Sequence, residues 1–322
     1  MLYAARTPKP SAELDFSLLW LVFALLAIGL VMVYSASLPT AEASRRTGFD
    51  GEFYLLRQGI YIALGVAAGF AAFQVPMRVW QQAAPYLFLV GLLLLVVVLI
   101  PGIGREVNGS RRWIPLGFAN LQPSELMKLL AILYAADYAT RKAALMHDLR
   151  RGFLPMAAVM MLVGALLLQQ PDFGAFVVIV TIAMGILFVG GLNWKLFVGL
   201  VVVLVASFAA LILSSEYRME RVLGFMDPFA DPFGKGYQLS HALIAFGRGE
   251  WLGLGLGGSV GKLFYLPEAH TDFLLAVIAE ELGFVGVIVL LALFGWLIAK
   301  AFFIARRAAL LERKVSALVA AG

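Results

Sequence analysis

Leu18 to Val33 reads LLWLVFALLAIGLVMV, and no charged side chain occurs between Phe16 and Ala41. About 20 mostly apolar residues are needed to cross about 30 Å of hydrocarbon as a helix. This stretch is therefore a membrane span. Its apolar run is too long for the core of a signal peptide, and Leu38-Pro39-Thr40 is a poor cleavage site, so the segment is expected to be retained. Reading outward for runs of the same length gives eight expected spans, at about 17–36, 56–74, 83–103, 123–140, 153–170, 173–191, 195–213 and 272–303. The fourth is unusual in carrying Glu125, Lys128 and Asp137. The expected fold is an all-α polytopic integral membrane protein, one helical-bundle domain over residues 1–322 with a large extracytoplasmic loop at 214–271.

Composition agrees. Hydrophobic residues make up 62% of the 322 and charged ones 14%, against roughly 45–50% and 25% in soluble domains; the mean hydropathy is +0.90. A soluble enzyme, a disordered chain and a coiled coil are excluded. The absence of cysteine excludes disulfides, thiolate metal sites and a cysteine nucleophile. His147, His241 and His270 lie far apart in sequence, which argues against a histidine metal cluster. The net charge of +5 does not indicate nucleic acid, because no basic stripe with interleaved aromatics occurs.

Orientation follows from the short loops. Residues 141–152 hold Arg141, Lys142, Arg150 and Arg151, whereas the turn Gln170-Pro171-Asp172 holds no basic residue. Arg6 and Lys9 precede the first span, and Arg306, Arg307, Arg313 and Lys314 follow the last. All fall on one side if both termini are cytoplasmic, as the positive-inside rule prefers. Arg111, Arg112, Arg218, Arg221, Lys235, Arg248 and Lys262 then lie outside, where they need another reason to be present.

Several groups could carry chemistry. Gly253-x-Gly255-x-x-Gly258 matches a dinucleotide fingerprint by letter, but no strand precedes it. Its glycines are better read as letting backbone run close to a membrane surface or another helix. Glu125 and Lys128 stand at i, i+3 after Gln122-Pro123, as an internal ion pair or as a cation presented to an anionic headgroup. Asp172 follows a second Gln-Pro pair, as a helix cap or a functional acid. Arg111-Arg112-Trp113 sets two guanidinium groups beside an interfacial Trp, suited to a phosphate-bearing headgroup or to anchoring alone. The densest cluster is Tyr265-Leu266-Pro267-Glu268-Ala269-His270-Thr271-Asp272, running into the last span. Glu280 and Glu281 follow about 12–14 Å further along that helix, where they demand partners or water.

These strings together resemble the SEDS family of bacterial cell-wall polymerases. The resemblance rests on Arg112-Trp113-Ile114-Pro115, Leu121-Gln122-Pro123-Ser124-Glu125-Leu126-x-Lys128 and Gln170-Pro171-Asp172-Phe173-Gly174. It continues through Gly236-Tyr237-Gln238, Ala245-Phe246-Gly247-Arg248-Gly249, Leu266-Pro267-Glu268-Ala269-His270-Thr271-Asp272-Phe273 and Glu280-Glu281-Leu282-Gly283. The wording is closer to the family's division-type than to its elongation-type members. The resemblance implies a peptidoglycan glycosyltransferase polymerising lipid II at the outer face of the bacterial cytoplasmic membrane, at the division septum. It places the essential acid at Asp272 and further catalytic residues at Trp113, Glu125 and Lys128. The partners it implies are a class B penicillin-binding transpeptidase and other membrane proteins of the division machinery. The family fold has ten spans, so eight would make this chain a C-terminally shortened version.

Joining a sugar hydroxyl to C1 of a lipid-linked donor requires a base, cations for the leaving pyrophosphate and a groove for lipid tails. Asp272 is the candidate base. Arg111, Arg112, Arg218, Lys262, Lys128, Glu268 and His270 are the candidate headgroup and substrate contacts. A divalent cation (Mg2+ or Mn2+) would suit a pyrophosphate leaving group, although no ligand cluster is evident. The competing reading is a lipid II flippase using Glu280, Glu281, Lys128 and Asp137 as a polar path; an inert scaffold is a third. The acidic and aromatic cluster on the outer side favours the enzyme, since alternating access wants a site near the midplane.

Overall fold

The computed structural model describes residues 15–322 apart from 108, 118–119, 215, 235 and 312. It is helical almost throughout: α1 (Phe16–Ala43), α2 (Phe53–Gln74), α3 (Met77–Val97), α4 (Pro123–Arg141), α5 (Leu154–Gln169), α6 (Phe173–Val189), α7 (Trp194–Leu213), α8 (Glu216–Met226), α9 (Tyr237–Gly249), α10 (Leu274–Leu310) and α11 (Lys314–Ala321). A small antiparallel sheet, β1 (Arg105–Val107), β2 (Ser110–Pro115) and β3 (Asn120–Leu121), lies between α3 and α4. The described residues divide into two compact units. The first takes in the chain as far as Ala68 and again from 216 to Lys300; the second, residues 69–214 and 301–322.

Among the described residues, α1, α2, α3, α10 and the helical run Leu149–Gln169 are long and apolar enough to cross a bilayer, and α6 and α7 are shorter apolar helices. Large apolar side chains such as Trp20, Phe70, Leu93, Val205 and Phe303 lie exposed along them. In water such a surface would aggregate; against lipid tails it is the matched exterior.

In the second unit α4 is the buried centre, packed against α3 and α6. Ala131, Ala135, Ala136 and Ala139 are almost fully buried on it, and such small residues let neighbouring helices approach closely. A Cβ on Gly91 of α3 would meet Met127 Sδ at 2.7 Å. This explains how α4 carries Asp137, which is buried under protein and ion-paired to Arg141 at 2.7 Å, whereas Glu125 and Arg141 are exposed near its two ends. Beyond the expected end of the last span at 303, the chain completes α10 and then forms α11, which buries Val315, Ala317 and Leu318.

In the first unit Asp15 caps α1, accepting hydrogen bonds from the Ser17 and Leu18 backbone N–H groups. The Ser17 hydroxyl, the Leu18 N–H and Lys300 together hold its carboxyl down from the usual 3.8 to about 2. A depressed carboxylate contributes stability that is fully present above its unfolded pKa and is lost as pH falls through its folded one. The melting-temperature difference between the protein and Asp15→Ala, measured in detergent, should therefore be constant above about pH 5 and shrink as the pH falls from 3.8 towards 2.

Candidate functional site

The segment from α9 to the start of α10 exposes Trp251, Leu252, Leu254 and Leu256 but is not a detached loop within its unit. It folds back along α10. A Cβ added to Gly249 would collide with the Ala279 carbonyl, and one on Gly253 with the Glu281 carbonyl. Opposite them α10 is broken at Gly283, whose φ of 68° and ψ of −170° belong to glycine alone. Four backbone hydrogen bonds bridge the break. Leu254 N–H donates to Glu280 O (2.9 Å) and Gly255 N–H to Glu281 O (3.0 Å); Phe284 N–H donates to Glu250 O (2.9 Å) and Val285 N–H to Trp251 O (3.1 Å). The loop thus supplies partners that an unbroken helix would find within itself, a requirement at membrane depth.

The adjacent carboxylates Glu280 and Glu281, both fully buried, are satisfied on opposite sides. Glu280 accepts from Ser259 Oγ (2.5 Å), Val260 N–H (3.2 Å) and Gly261 N–H (3.1 Å), with Arg248 Nε at 3.7 Å. Glu281 accepts from Lys262 Nζ at 2.6 Å and from the Ser35 hydroxyl at 2.8 Å, and Lys262 also donates to Ser35 Oγ (3.0 Å). Lys262, expected among the headgroup contacts, is 5% exposed with its ammonium held inside this triad. Sequence reasoning flagged the two glutamates but missed Ser35 and Ser259. Nothing in a serine on an apolar helix signals a partner 246 residues away.

From Leu266 the chain reaches the mouth of α10. The Thr271 hydroxyl donates to Glu268 Oε2 (3.1 Å), and the Thr271 and Phe273 N–H groups donate to the Glu268 carbonyl, closing a tight turn. His270 packs its ring 4.8 Å from that of Tyr54. Asp272 sits on the turn, exposed, with no hydrogen-bond or ion-pair partner among the described residues.

The second unit holds the other candidates. In the β1–β2 hairpin Arg105 is opposite Trp113 and Glu106 opposite Arg111; Arg111 Nε meets Glu106 Oε2 at 3.0 Å in an exposed pair. Arg112 points the other way, as strand alternation requires. Its Nε donates to Gln170 O (3.0 Å), its Nη2 donates to Pro171 O, and its Nη1 lies 4.0 Å from Asp172 Oδ1. Asp172 caps α6 through the Ala175 N–H (3.3 Å) and accepts from Ser124 Oγ (2.9 Å), so the two Gln-Pro turns are tied together. Lys128 and Glu125 pair at 2.7 Å, with the lysine 28% exposed. Arg218 belongs to α8, and its side chain lies outside the described residues. Among the described residues no group of three or more His, Asp or Glu is placed to hold a metal ion. No step is therefore assigned to Mg2+ or Mn2+.

The apolar helices define a polytopic helical membrane protein, in which the first unit carries an exposed acid at a helix mouth beside a clamped loop and the second unit a basic hairpin. Residues 16–322 match the family model FTSW_RODA_SPOVE, described as cell cycle protein, and the chain belongs to that family. It is 64% identical, over 96% of its length and 76% of the other's, to a protein of Aromatoleum aromaticum named probable peptidoglycan glycosyltransferase FtsW. It is 53% identical, over 99% and 70%, to one of the same name from Burkholderia thailandensis. Among solved structures it resembles a chain from one described as structural coordination of polymerization and crosslinking by a peptidoglycan synthase complex. There the TM-score is 0.73 at 31% identity, covering 97% of this chain and 83% of that one. It also resembles the rod shape determining protein RodA of Thermus thermophilus (TM-score 0.66, 29% identity, 98% and 82% covered).

Proposed function

We propose that this protein is a peptidoglycan glycosyltransferase that polymerises lipid II into glycan strands on the outer face of the bacterial cytoplasmic membrane during cell division. The family and its named relatives support the activity. One observation supports the mechanism: the buried carboxylates Asp137, Asp172, Glu280 and Glu281 are all engaged, whereas Asp272 is exposed and unpartnered among the described residues. In this reading Asp272 accepts the proton of the acceptor-sugar hydroxyl as that oxygen attacks C1 of the donor. The C1–O bond to pyrophosphate breaks, its electrons leaving with the lipid pyrophosphate, and direct displacement inverts C1. Glu268 and His270, on the same turn, contact the sugars. In the second unit the Arg111–Glu106 and Lys128–Glu125 pairs are open enough for an incoming phosphate to compete for the cations. Trp113 packs on the bound substrate, and Arg112 positions the turn that Asp172 caps.

Transport of lipid II between leaflets has less support, because three of its four candidate polar-path residues, Glu280, Glu281 and Asp137, are buried and fully engaged and the fourth, Lys128, is paired with Glu125. The proposed topology puts both described ends of the chain on the cytoplasmic side, in one membrane domain at the septum. The proposed partners are a class B penicillin-binding transpeptidase and other division proteins; the resemblance to a complex coordinating polymerization with crosslinking supports the first of these. The test is polymerisation of labelled lipid II by the purified chain with its transpeptidase. Glycan ladders should form with the protein and disappear with Asp272→Asn, while lipid II binding persists. Ladders undiminished in the variant would end the base assignment.

A further inference from the structure

A cavity of about 490 Å3, lined by both charged and apolar side chains, opens in the second unit between the first turns of α3 and the last of α4. Its floor is Asp137 with Arg141, and Gln81 Nε2 reaches Asp137 Oδ1 at 3.4 Å. A second cavity of about 420 Å3 shares Arg78 and Gln81 with it and is bordered by Arg313 and Lys314 at the start of α11. Among the described residues lining these cavities, four cations face a single carboxylate, and that one is neutralised by Arg141. Arg78, Arg313 and Lys314 have no acidic partner among the described residues and are exposed.

Beyond Arg78 and the glutamines, the α3 wall of the first cavity turns apolar. Tyr86 and Leu89 line the first cavity, and together with Leu93 they stand at i, i+3, i+7 on the exposed face of α3, at 72%, 61% and 61% exposure. Such spacing makes a continuous stripe along one helix face. A ligand matching this arrangement has an anionic head at the helix ends and apolar chains running along α3 into the bilayer. A free phosphate would leave the stripe unused. The end of α4 leads into the basic segment 141–152, which the topology proposed above puts in the cytoplasm.

The geometry points to a binding site for the phosphate headgroup of an anionic phospholipid of the inner leaflet, held by Arg78, Lys314 and Arg313 with its chains against Tyr86 and Leu89. The leaflet rests on the proposed orientation; the site itself does not depend on polymerase activity. A basic residue near an anionic lipid contributes about fivefold in affinity, equivalent to about 1 kcal/mol.

The test uses the full chain, delipidated in detergent, and native mass spectrometry to count retained phosphatidylglycerol, with phosphatidylcholine of the same chains and inorganic phosphate as comparison probes. Arg78→Gln and Lys314→Gln should each weaken phosphatidylglycerol binding about fivefold, and together about twenty-five-fold. Arg306→Gln/Arg307→Gln, which removes two exposed cations outside both cavities, should change it less than about twofold. Phosphatidylcholine should bind more weakly, and inorganic phosphate should not displace the lipid. Equal binding of the two lipids, equal loss in the Arg306/Arg307 control, or displacement by inorganic phosphate would each overturn the proposal. Lipid II plays no part in the measurement, so a chain that fails to polymerise but binds phosphatidylglycerol this way contradicts only the functional reading.

Discussion

Gly283→Ala should abolish folding of the first unit. At φ 68° and ψ −170° a side chain costs about 1–3 kcal/mol from backbone strain alone. The added Cβ would also collide with the Gly253 amide and the Trp251 carbonyl, which are backbone and cannot swing aside as a side chain can. Relieving the collision means withdrawing the loop and breaking the four hydrogen bonds across the break, each exposing a backbone group where water is scarce. The total exceeds about 4 kcal/mol, comparable with the stability of many domains. Size-exclusion chromatography of detergent extracts should show aggregate or no protein. Gly295→Ala is the control: it lies in the same helix, its Cβ would meet nothing within 4 Å, and it should behave as the parent. A Gly283→Ala protein with a parental melting temperature would mean that the loop does not clamp the break.

Lys262→Met should be the second most damaging change outside the reacting groups. It strands the fully buried Glu281 carboxylate with the Ser35 hydroxyl as its one remaining donor among the described residues. Breaking one side of a buried ion pair typically costs about 3–5 kcal/mol, whereas replacing both partners with apolar residues of similar size is often close to neutral. Lys262→Met/Glu281→Leu should therefore recover most of the lost melting temperature, and the double-mutant cycle should report a large favourable coupling. If the double variant is no more stable than the lysine variant alone, the ammonium matters for something other than neutralising Glu281.

The helical membrane class was legible because hydrocarbon imposes one simple demand, about 20 apolar residues in a row, and the run at Leu18 meets it without ambiguity. The charged α4 could not be understood in this way. Its tolerance for Asp137 depends on cover from α3 and α6, which no local pattern encodes. The glycine-rich stretch showed that backbone must pass close to something, but the partner, a break at Gly283, lies 30 residues on and has no periodic signature. Of the candidate site, Glu268, His270 and Asp272 stand together on one turn, as adjacency in sequence would have them. Lys262 illustrates the opposite case: a lysine in a loop looks like a surface cation until Glu281 and Ser35 are brought to it.

The clamped break also has a mechanical meaning. The first piece of α10, from Leu274 to Leu282, is joined at one end to the turn bearing Asp272 and fastened at the other to residues 250–255, so it behaves as a short stiff strut. Lifting or tilting Asp272 must drag the glycine loop with it. Anything that presses on that loop is felt at the carboxylate.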